Sequence, residues 1–199
     1  MAPPGLQRLL AGYLPVNLLQ AAITLGAVMV FSRLLTPAEY GHYALATTLM
    51  LWLQTLRFYW LQTGISRFHD TARDAGRLPR LLATAYVAAI LIVVALGGIG
   101  LIVAEFSAYR PLILAGLAAL LARSLFAVGL DFHRAAHRVR RYAWLEGVQY
   151  LLSLLLGVLF AVCFDWGALA PLLGLALGNL AALLADIPYL ARHTGGLAW

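Results

Sequence analysis

The sequence predicts an all-α, polytopic membrane protein with six transmembrane helices. The main observation is that six long apolar stretches fill most of its 199 residues. Their approximate bounds are 9–32, 42–63, 81–104, 111–130, 146–164 and 168–190. A helix rises 1.5 Å per residue, so about 20 apolar residues span a hydrocarbon core of about 30 Å. Composition supports this, because 63% of the residues are hydrophobic and only 11% are charged, whereas soluble domains carry about 25% charge.

The distribution of arginine predicts that both termini are cytoplasmic. All 14 basic residues are arginine, and two of them lie inside predicted spans. Ten lie in the N-terminal segment, the second and fourth connections or the C-terminal tail, whereas only Arg33 and Arg110 lie in the other connections. Cytoplasmic loops of membrane proteins carry this excess of positive charge. We therefore expect the net charge of +6 to reflect topology, or contact with anionic lipid, rather than nucleic-acid binding.

Local signals refine the bounds of the six predicted helices, which form a single domain over residues 1–199. The predicted bounds are 9–32, 37–64, 81–104, 111–131, 143–164 and 168–190. The first span is too long for the apolar core of a cleavable signal peptide, so we expect it to be retained. Thr36-Pro37-Ala38-Glu39 is a capping box with proline at the first helical position. The second helix is therefore predicted to begin near residue 37.

The later connections carry turn signals of their own. Residues 65–80 combine alternating charge with Gly76 and a proline, which predicts a helical extension followed by a turn. Pro111 is expected to open the fourth helix after a short connection over residues 105–110. The Asp165-Trp166-Gly167 segment is tighter still, and it predicts a hairpin between the fifth and sixth helices.

The sixth helix contains a Gly174-x-x-x-Gly178 motif, one turn after Pro171. Small residues four apart let two helices approach closely. We therefore expect this motif to pack the sixth helix against a neighbour. The alternative is a flexible point that is used in opening and closing.

Arg123 is the most unusual residue of the predicted spans. It lies near the middle of the fourth span, where an arginine without a partner costs at least about 2.5–3.5 kcal/mol. We therefore expect it to face a hydrated cavity or to form a structural ion pair. Asp186 in the sixth helix is one candidate for the partner in that pair.

Three other helices carry polar stripes. Gln54 and Arg57 share a face of the second helix, although Arg57 is close enough to the cytoplasmic end to reach the headgroups. Asn17 and Gln20 share a face of the first helix. The stripe of the fifth helix consists of Glu146, Gln149, Tyr150 and Ser153. A single stripe usually makes interhelical hydrogen bonds, but together with two arginines the stripes predict a polar cavity for an anionic substrate. The candidate substrate-binding residues are Arg123, Arg57, Gln54, Asn17 and Gln20.

The sequence favours no enzymatic activity. It contains no Gly-x-Ser-x-Gly motif, no His-Glu-x-x-His motif and no paired intramembrane aspartates. His133 and His137 are four apart, a spacing that could hold a metal on a helix. They lie among charged residues at the membrane surface, so we expect them to be solvated surface histidines. No metal and no cofactor are expected, and Cys163 is the single cysteine of this sequence.

Three segments carry a resemblance to a known family. Phe31-Ser-Arg-Leu-Leu-Thr-Pro-Ala-Glu-Tyr-Gly-His-Tyr-Ala-Leu-Ala46 resembles the first periplasmic turn of polysaccharide-biosynthesis flippases. Leu61-Gln-Thr-Gly-Ile-Ser-Arg-Phe68 is similar to the end of that family's second helix, and His133-Arg-Ala-Ala-His-Arg-Val-Arg-Arg-Tyr142 to its basic segment between helices four and five. In order and spacing, the chain resembles the N-terminal six-helix lobe of the Wzx-type flippases, which belong to the multidrug/oligosaccharidyl-lipid/polysaccharide (MOP) exporter superfamily.

The resemblance implies one lobe of a MOP/MATE-like transporter fold. It also implies a function, the flipping of an undecaprenyl-pyrophosphate-linked oligosaccharide between leaflets by alternating access. The pyrophosphate of this substrate is anionic, which agrees with an arginine-bearing interior. Full members have two six-helix lobes, so the expected partners are membrane lipid, that substrate, and a second lobe or a second copy of this chain. The alternative is a non-transporting membrane scaffold derived from a transporter lobe.

Overall fold

The described residues form six α-helices joined by short turns. The structure, a computed structural model, describes residues 6–105 and 107–194. Within them the side chains of 6–16, 56–60, 62, 103, 193 and 194 are not described. The helices are α1 (Leu6–Leu34), α2 (Pro37–Asp74), α3 (Leu78–Glu105), α4 (Arg110–Ala135), α5 (Val139–Phe164) and α6 (Leu169–Thr194). The described residues form no strand, and the predicted all-α fold is confirmed.

The predicted capping box closes the turn between α1 and α2. The Thr36 backbone N–H donates to Glu39 Oε2 at 2.8 Å, and the Glu39 backbone N–H donates to Thr36 Oγ1 at 3.4 Å. The Thr36 hydroxyl also donates to Glu39 Oε2. These hydrogen bonds from Thr36 stabilise the carboxylate and lower the pKa of Glu39 below its ordinary value. The start of α2 at Pro37 is confirmed.

Left-handed backbone conformations lie in the turns after α2, α4 and α5. Gly76 has a φ of 64°, which glycine adopts without a Cβ penalty. Asp165 has a φ of 52° and caps α5, and His137 has a φ of 54° in the turn after α4. His137 therefore lies beyond the end of α4. It does not share a helix with His133, so the spacing of four residues produces no common helical face.

The helices α4 and α6 form the centre of the bundle. α6 packs along both α5 and α4, and α4 also contacts α2 and α3. In the apolar segments of these helices, 50% of the residues of α4 and 56% of those of α6 are buried, against 6% of the residues in the apolar segment of α1. α1 contacts mainly α5. The bundle thus has two central helices, and α1 lies on its periphery.

The glycine motif lies where α6 is closest to α5. A Cβ on Gly178 would lie 2.8 Å from the backbone nitrogen of Ser153, and a Cβ on Gly174 would lie 2.6 Å from the Ser153 carbonyl oxygen. Such distances are shorter than real Cβ contacts, so the two backbones approach this closely only with glycine at both positions. Packing is therefore confirmed as the role of the motif.

Several helices are long and apolar enough to cross a bilayer. Among the described residues five segments meet this description, namely Asn17–Leu34, Leu78–Ile102, Arg110–Ala135, Val139–Phe164 and Leu169–Arg192. Large hydrophobic side chains are exposed on the outward faces, including Leu25 of α1, Leu91 of α3 and Leu155 of α5. An apolar exterior of this kind is suited to lipid rather than to water. These are the features of a multi-pass helical membrane protein.

α2 is the exception among the six helices. It is not one of the five apolar segments, and the side chains of residues 56–60, inside its predicted span, are not described. Its 38 residues give a length of about 57 Å at 1.5 Å per residue, which exceeds a hydrocarbon core of about 30 Å. The helix continues to Asp74, so the predicted helical extension in residues 65–80 is confirmed.

Candidate functional site

A polar cluster lies inside the bundle between α4 and α5. Arg123 of α4 donates from Nη1 to Gln149 Oε1 of α5 at 3.3 Å. Gln149 is buried, and its Nε2 donates to Ser153 Oγ at 3.0 Å, one turn further along α5. The Arg123 guanidinium also lies 5.8 Å from the centre of the Tyr150 ring, within the range of a cation–π contact. One cation is thus held by an amide and an aromatic ring.

α1 joins this cluster through Gln20. Its Nε2 donates to the Tyr150 hydroxyl oxygen at 2.6 Å. Tyr150 therefore contacts Gln20 on one side and Arg123 on the other. The hydrogen bond lies at the contact between α1 and α5. The polar stripes of the first and fifth helices, and Arg123 of the fourth, meet in one place.

Arg123 has no ion pair with any residue that the structure describes. It is half-buried, it donates to Gln149 Oε1, and it lies against Tyr150. A guanidinium has five N–H donors and is always charged. Its remaining donors are therefore available to water or to an anion. Of the two interpretations of Arg123, the ion pair with Asp186 is wrong.

The buried carboxyl of Glu146 lies on the same face of α5, one turn before Gln149. Glu146 is 4% exposed, and its Oε2 has no hydrogen-bond partner among the described atoms. Glu146, Gln149 and Ser153 are all buried. The predicted polar stripe of the fifth helix therefore faces the interior.

The five predicted substrate-binding residues have different surroundings. Arg123 and Gln20 are linked through Tyr150. Asn17 is exposed on α1, and Gln54 is half-buried on α2 without a hydrogen bond to another described side chain. The side chain of Arg57 lies outside the described residues. The assignment of these five residues to substrate binding stays a prediction.

A second polar cluster is buried where α4, α5 and α6 meet near the predicted cytoplasmic surface. Asp186 Oδ2 lies 2.8 Å from Nε2 of His133, and Asp186 Oδ1 lies 3.1 Å from Nη2 of Arg141. The side chains of His133 and Asp186 are 0% and 2% exposed. Arg141 also donates to the carbonyl oxygen of Ala185 at 3.0 Å. The cluster therefore ties three helices together through one carboxylate.

This second cluster corrects two expectations. His133 is not a solvated surface histidine, because it lies in the last turn of α4, where its ring packs 5.6 Å from that of Tyr189 in α6. Asp186 binds His133 and Arg141 instead of Arg123. One sequence signal could have found this pair. A carboxylate inside a span needs a partner, and the basic segment 133–142 lies near the same membrane surface.

The ring of His133 faces the carboxylate of Asp186 through Nε2. Its Nδ1 is buried and has no hydrogen-bond partner in the described part of the chain. Asp186 Oδ2 also lies against Gly129, where a Cβ would approach it to 3.1 Å.

The two clusters supply hydrogen bonds and charge rather than metal ligands. The described residues contain no group of three or more histidine, cysteine, aspartate or glutamate side chains that could hold a metal ion. Arg123 carries donors suited to an oxyanion, because a guanidinium forms strong hydrogen bonds with phosphate and carboxylate oxygens. No protein-family model, no curated protein and no solved structure matches the chain.

Proposed function

We propose that this protein is one lobe of a flippase for a lipid-linked oligosaccharide, acting in polysaccharide, O-antigen or exopolysaccharide biosynthesis. The observation that carries the proposal is Arg123, a cation inside the bundle with no carboxylate partner among the described residues. A guanidinium matches the geometry of phosphate oxygens. The pyrophosphate of an undecaprenyl-linked glycan has this chemistry, and binding it would complete the hydrogen bonding of Arg123.

The segments that resemble the Wzx-type family support the proposal. Residues 31–46 form the turn between α1 and α2, and the carboxylate of Glu39 in this turn lies against Gly167 in the turn between α5 and α6. Residues 133–142 contain His133 and Arg141, which hold the second cluster. Two of the three family-like segments thus lie where helices are joined, at the two ends of the bundle, and the third, residues 61–68, lies within α2.

The proposed lobe includes α2 as a sixth membrane span and has both termini in the cytoplasm. It works in the inner membrane with a second six-helix lobe, which is either a separate chain or a second copy of this one. An even number of spans lets two copies insert in the same orientation. Alternating access between two such lobes would carry the pyrophosphate past Arg123.

Export is expected to depend on the charge of Arg123. In the native host, Arg123→Ala should lower glycan export by roughly tenfold to a hundredfold, because hydrogen bonds to charged groups contribute about 1.5–3 kcal/mol. Arg123→Lys should retain part of the activity, since it keeps the charge but loses the planar fork. Surface glycan is measured beside the amount of protein in the membrane.

Arg110→Ala is the matched control for Arg123→Ala. Arg110 is exposed and pairs with Glu105 at 3.0 Å, so the same substitution there should leave export unchanged. Wild-type export by Arg123→Ala at normal protein levels would contradict the flippase proposal. It would favour the scaffold alternative, in which the protein is needed but its interior charge is not.

Reporter fusions are expected to show the proposed topology. Fusions after Arg80 and Arg141 should report the cytoplasm, and a fusion near Tyr109 should report the periplasm, because positive charge is concentrated in the second and fourth connections. Paired alkaline phosphatase and green fluorescent protein fusions measure this directly. A cytoplasmic Tyr109 would overturn both the topology and the alignment with the flippase family.

A further inference from the structure

An apolar cavity of about 580 Å³ lies between α2, α3 and α4. Its walls are almost entirely hydrocarbon, with Leu53 from α2 and Leu117 from α4. It opens to the outside of the bundle, where Leu49 and Ile99 line it and are exposed. None of the residues that hold Arg123 lines it. The cavity is therefore separate from the proposed site for the pyrophosphate.

Gly116 forms part of the cavity wall on α4. It is buried, yet no other atom lies within 4 Å of the position that a Cβ would occupy. Gly100, which also lines the cavity, differs in this respect, because a Cβ there would approach Leu117 to 2.7 Å. The space beside Gly116 is thus open, although the residue is inside the bundle.

The cavity has one polar end. His42, Ser107 and Tyr109 line it there, and the rings of His42 and Tyr109 lie 5.0 Å apart. Leu53 lines the α2 side at the opposite end. From His42 to Leu53 the rise along α2 is about 17 Å at 1.5 Å per residue, which is close to half of a hydrocarbon core of about 30 Å. The cavity therefore has the depth of one leaflet.

We propose that this cavity binds one acyl chain of a phospholipid from the leaflet next to His42 and Tyr109, with the headgroup at those two side chains. Buried water needs two to four polar partners, and the walls offer them only at the polar end. An unfilled cavity would forfeit the dispersion contacts of its lining. Within one leaflet of a bilayer, the molecules that surround the protein are lipid acyl chains rather than water. A polyprenyl chain is several times longer than one leaflet is deep, so an acyl chain fits better.

Photocrosslinking of the wild-type protein tests this site. The protein is placed in vesicles of phosphatidylethanolamine and phosphatidylglycerol that contain a phosphatidylethanolamine with a diazirine near the end of one acyl chain. We expect adducts on Leu53 and Leu120, which line the cavity, to exceed those on Leu91 and Val94, which are exposed on α3. Mass spectrometry of the peptides locates the adducts.

Filling the cavity should remove these adducts. Gly116→Phe places a ring in the open space beside α4, and it should abolish labelling of Leu53 and Leu120. Gly98→Phe is the matched control, because Gly98 is exposed on α3 with no other atom within 4 Å of a Cβ position. It should leave the labelling unchanged. Gly116→Leu provides a smaller filling group if the phenylalanine variant does not fold.

Three results would overturn the proposal. The first is equal labelling of the cavity residues and of the exposed residues of α3 in the wild-type protein. The second is unchanged labelling in a folded Gly116→Phe or Gly116→Leu variant. The third is loss of the labelling of Leu53 and Leu120 when a polyprenyl phosphate is added to the same vesicles, which would identify that lipid as the preferred occupant. None of these results bears on Arg123, so the flippase proposal is tested separately.

Discussion

Replacing Asp186 with Asn is expected to lower the free energy of unfolding by about 1.5–3 kcal/mol, because it removes the buried carboxylate that accepts hydrogen bonds from Arg141. The carboxylate binds His133 at 2.8 Å and Arg141 at 3.1 Å, and its side chain is 2% exposed. Asparagine has nearly the same shape, so the loss reports the charge rather than a cavity. With its oxygen toward His133, the amide would also place an N–H donor against the N–H donors of Arg141.

An exposed ion pair serves as the control for Asp186→Asn. Glu105 and Arg110 are 3.0 Å apart, with side chains 59% and 58% exposed. Glu105→Gln removes the same kind of charge, but exposed pairs contribute little to stability, so no measurable change is expected. The melting temperature of each purified variant in one detergent gives the comparison. Equal melting temperatures for the two variants would show that the second cluster does not stabilise the fold.

Replacing Gly178 with Leu is expected to separate α5 from α6 and to reduce the amount of folded protein. A Cβ at this position would lie 2.8 Å from the Ser153 backbone nitrogen, and a backbone atom cannot move aside as a side chain can. Overpacking of a core typically costs about 1–3 kcal/mol. Because the contact here is with backbone, we expect a cost at or above the upper end of that range. Ser153 also accepts the hydrogen bond of Gln149, so the Arg123 cluster should be disturbed as well.

Gly98→Leu is the matched control for Gly178→Leu. It makes the same change at an exposed position of α3, where no other atom lies within 4 Å of a Cβ position. Fluorescence-detected size-exclusion chromatography of tagged variants measures the monodisperse fraction. We expect normal elution for Gly98→Leu and a loss of the main peak for Gly178→Leu. A Gly178→Leu variant that elutes and exports normally would rule out close packing of α5 and α6.

The sequence by itself determined the helices and their ends. Thr36 and Glu39 are three residues apart, so their hydrogen bonds depend on local backbone geometry alone. The length of each apolar stretch similarly depends only on neighbouring residues. The Gly174-x-x-x-Gly178 spacing predicted a close helix contact, although it did not identify α5 as the neighbour. The polar stripes were also visible, because a stripe follows from the helical repeat.

Only the tertiary structure decided which polar groups meet. From the sequence, Asp186 could pair either with Arg123 or with the basic segment 133–142. It binds His133, 53 positions away, because of the way α4 lies along α6. Gln20 and Tyr150 are 130 positions apart, and they meet because α1 packs on α5. The rotation of each helix about its own axis decides such pairs. That rotation results from the packing of all six helices together, which no local segment of the sequence encodes.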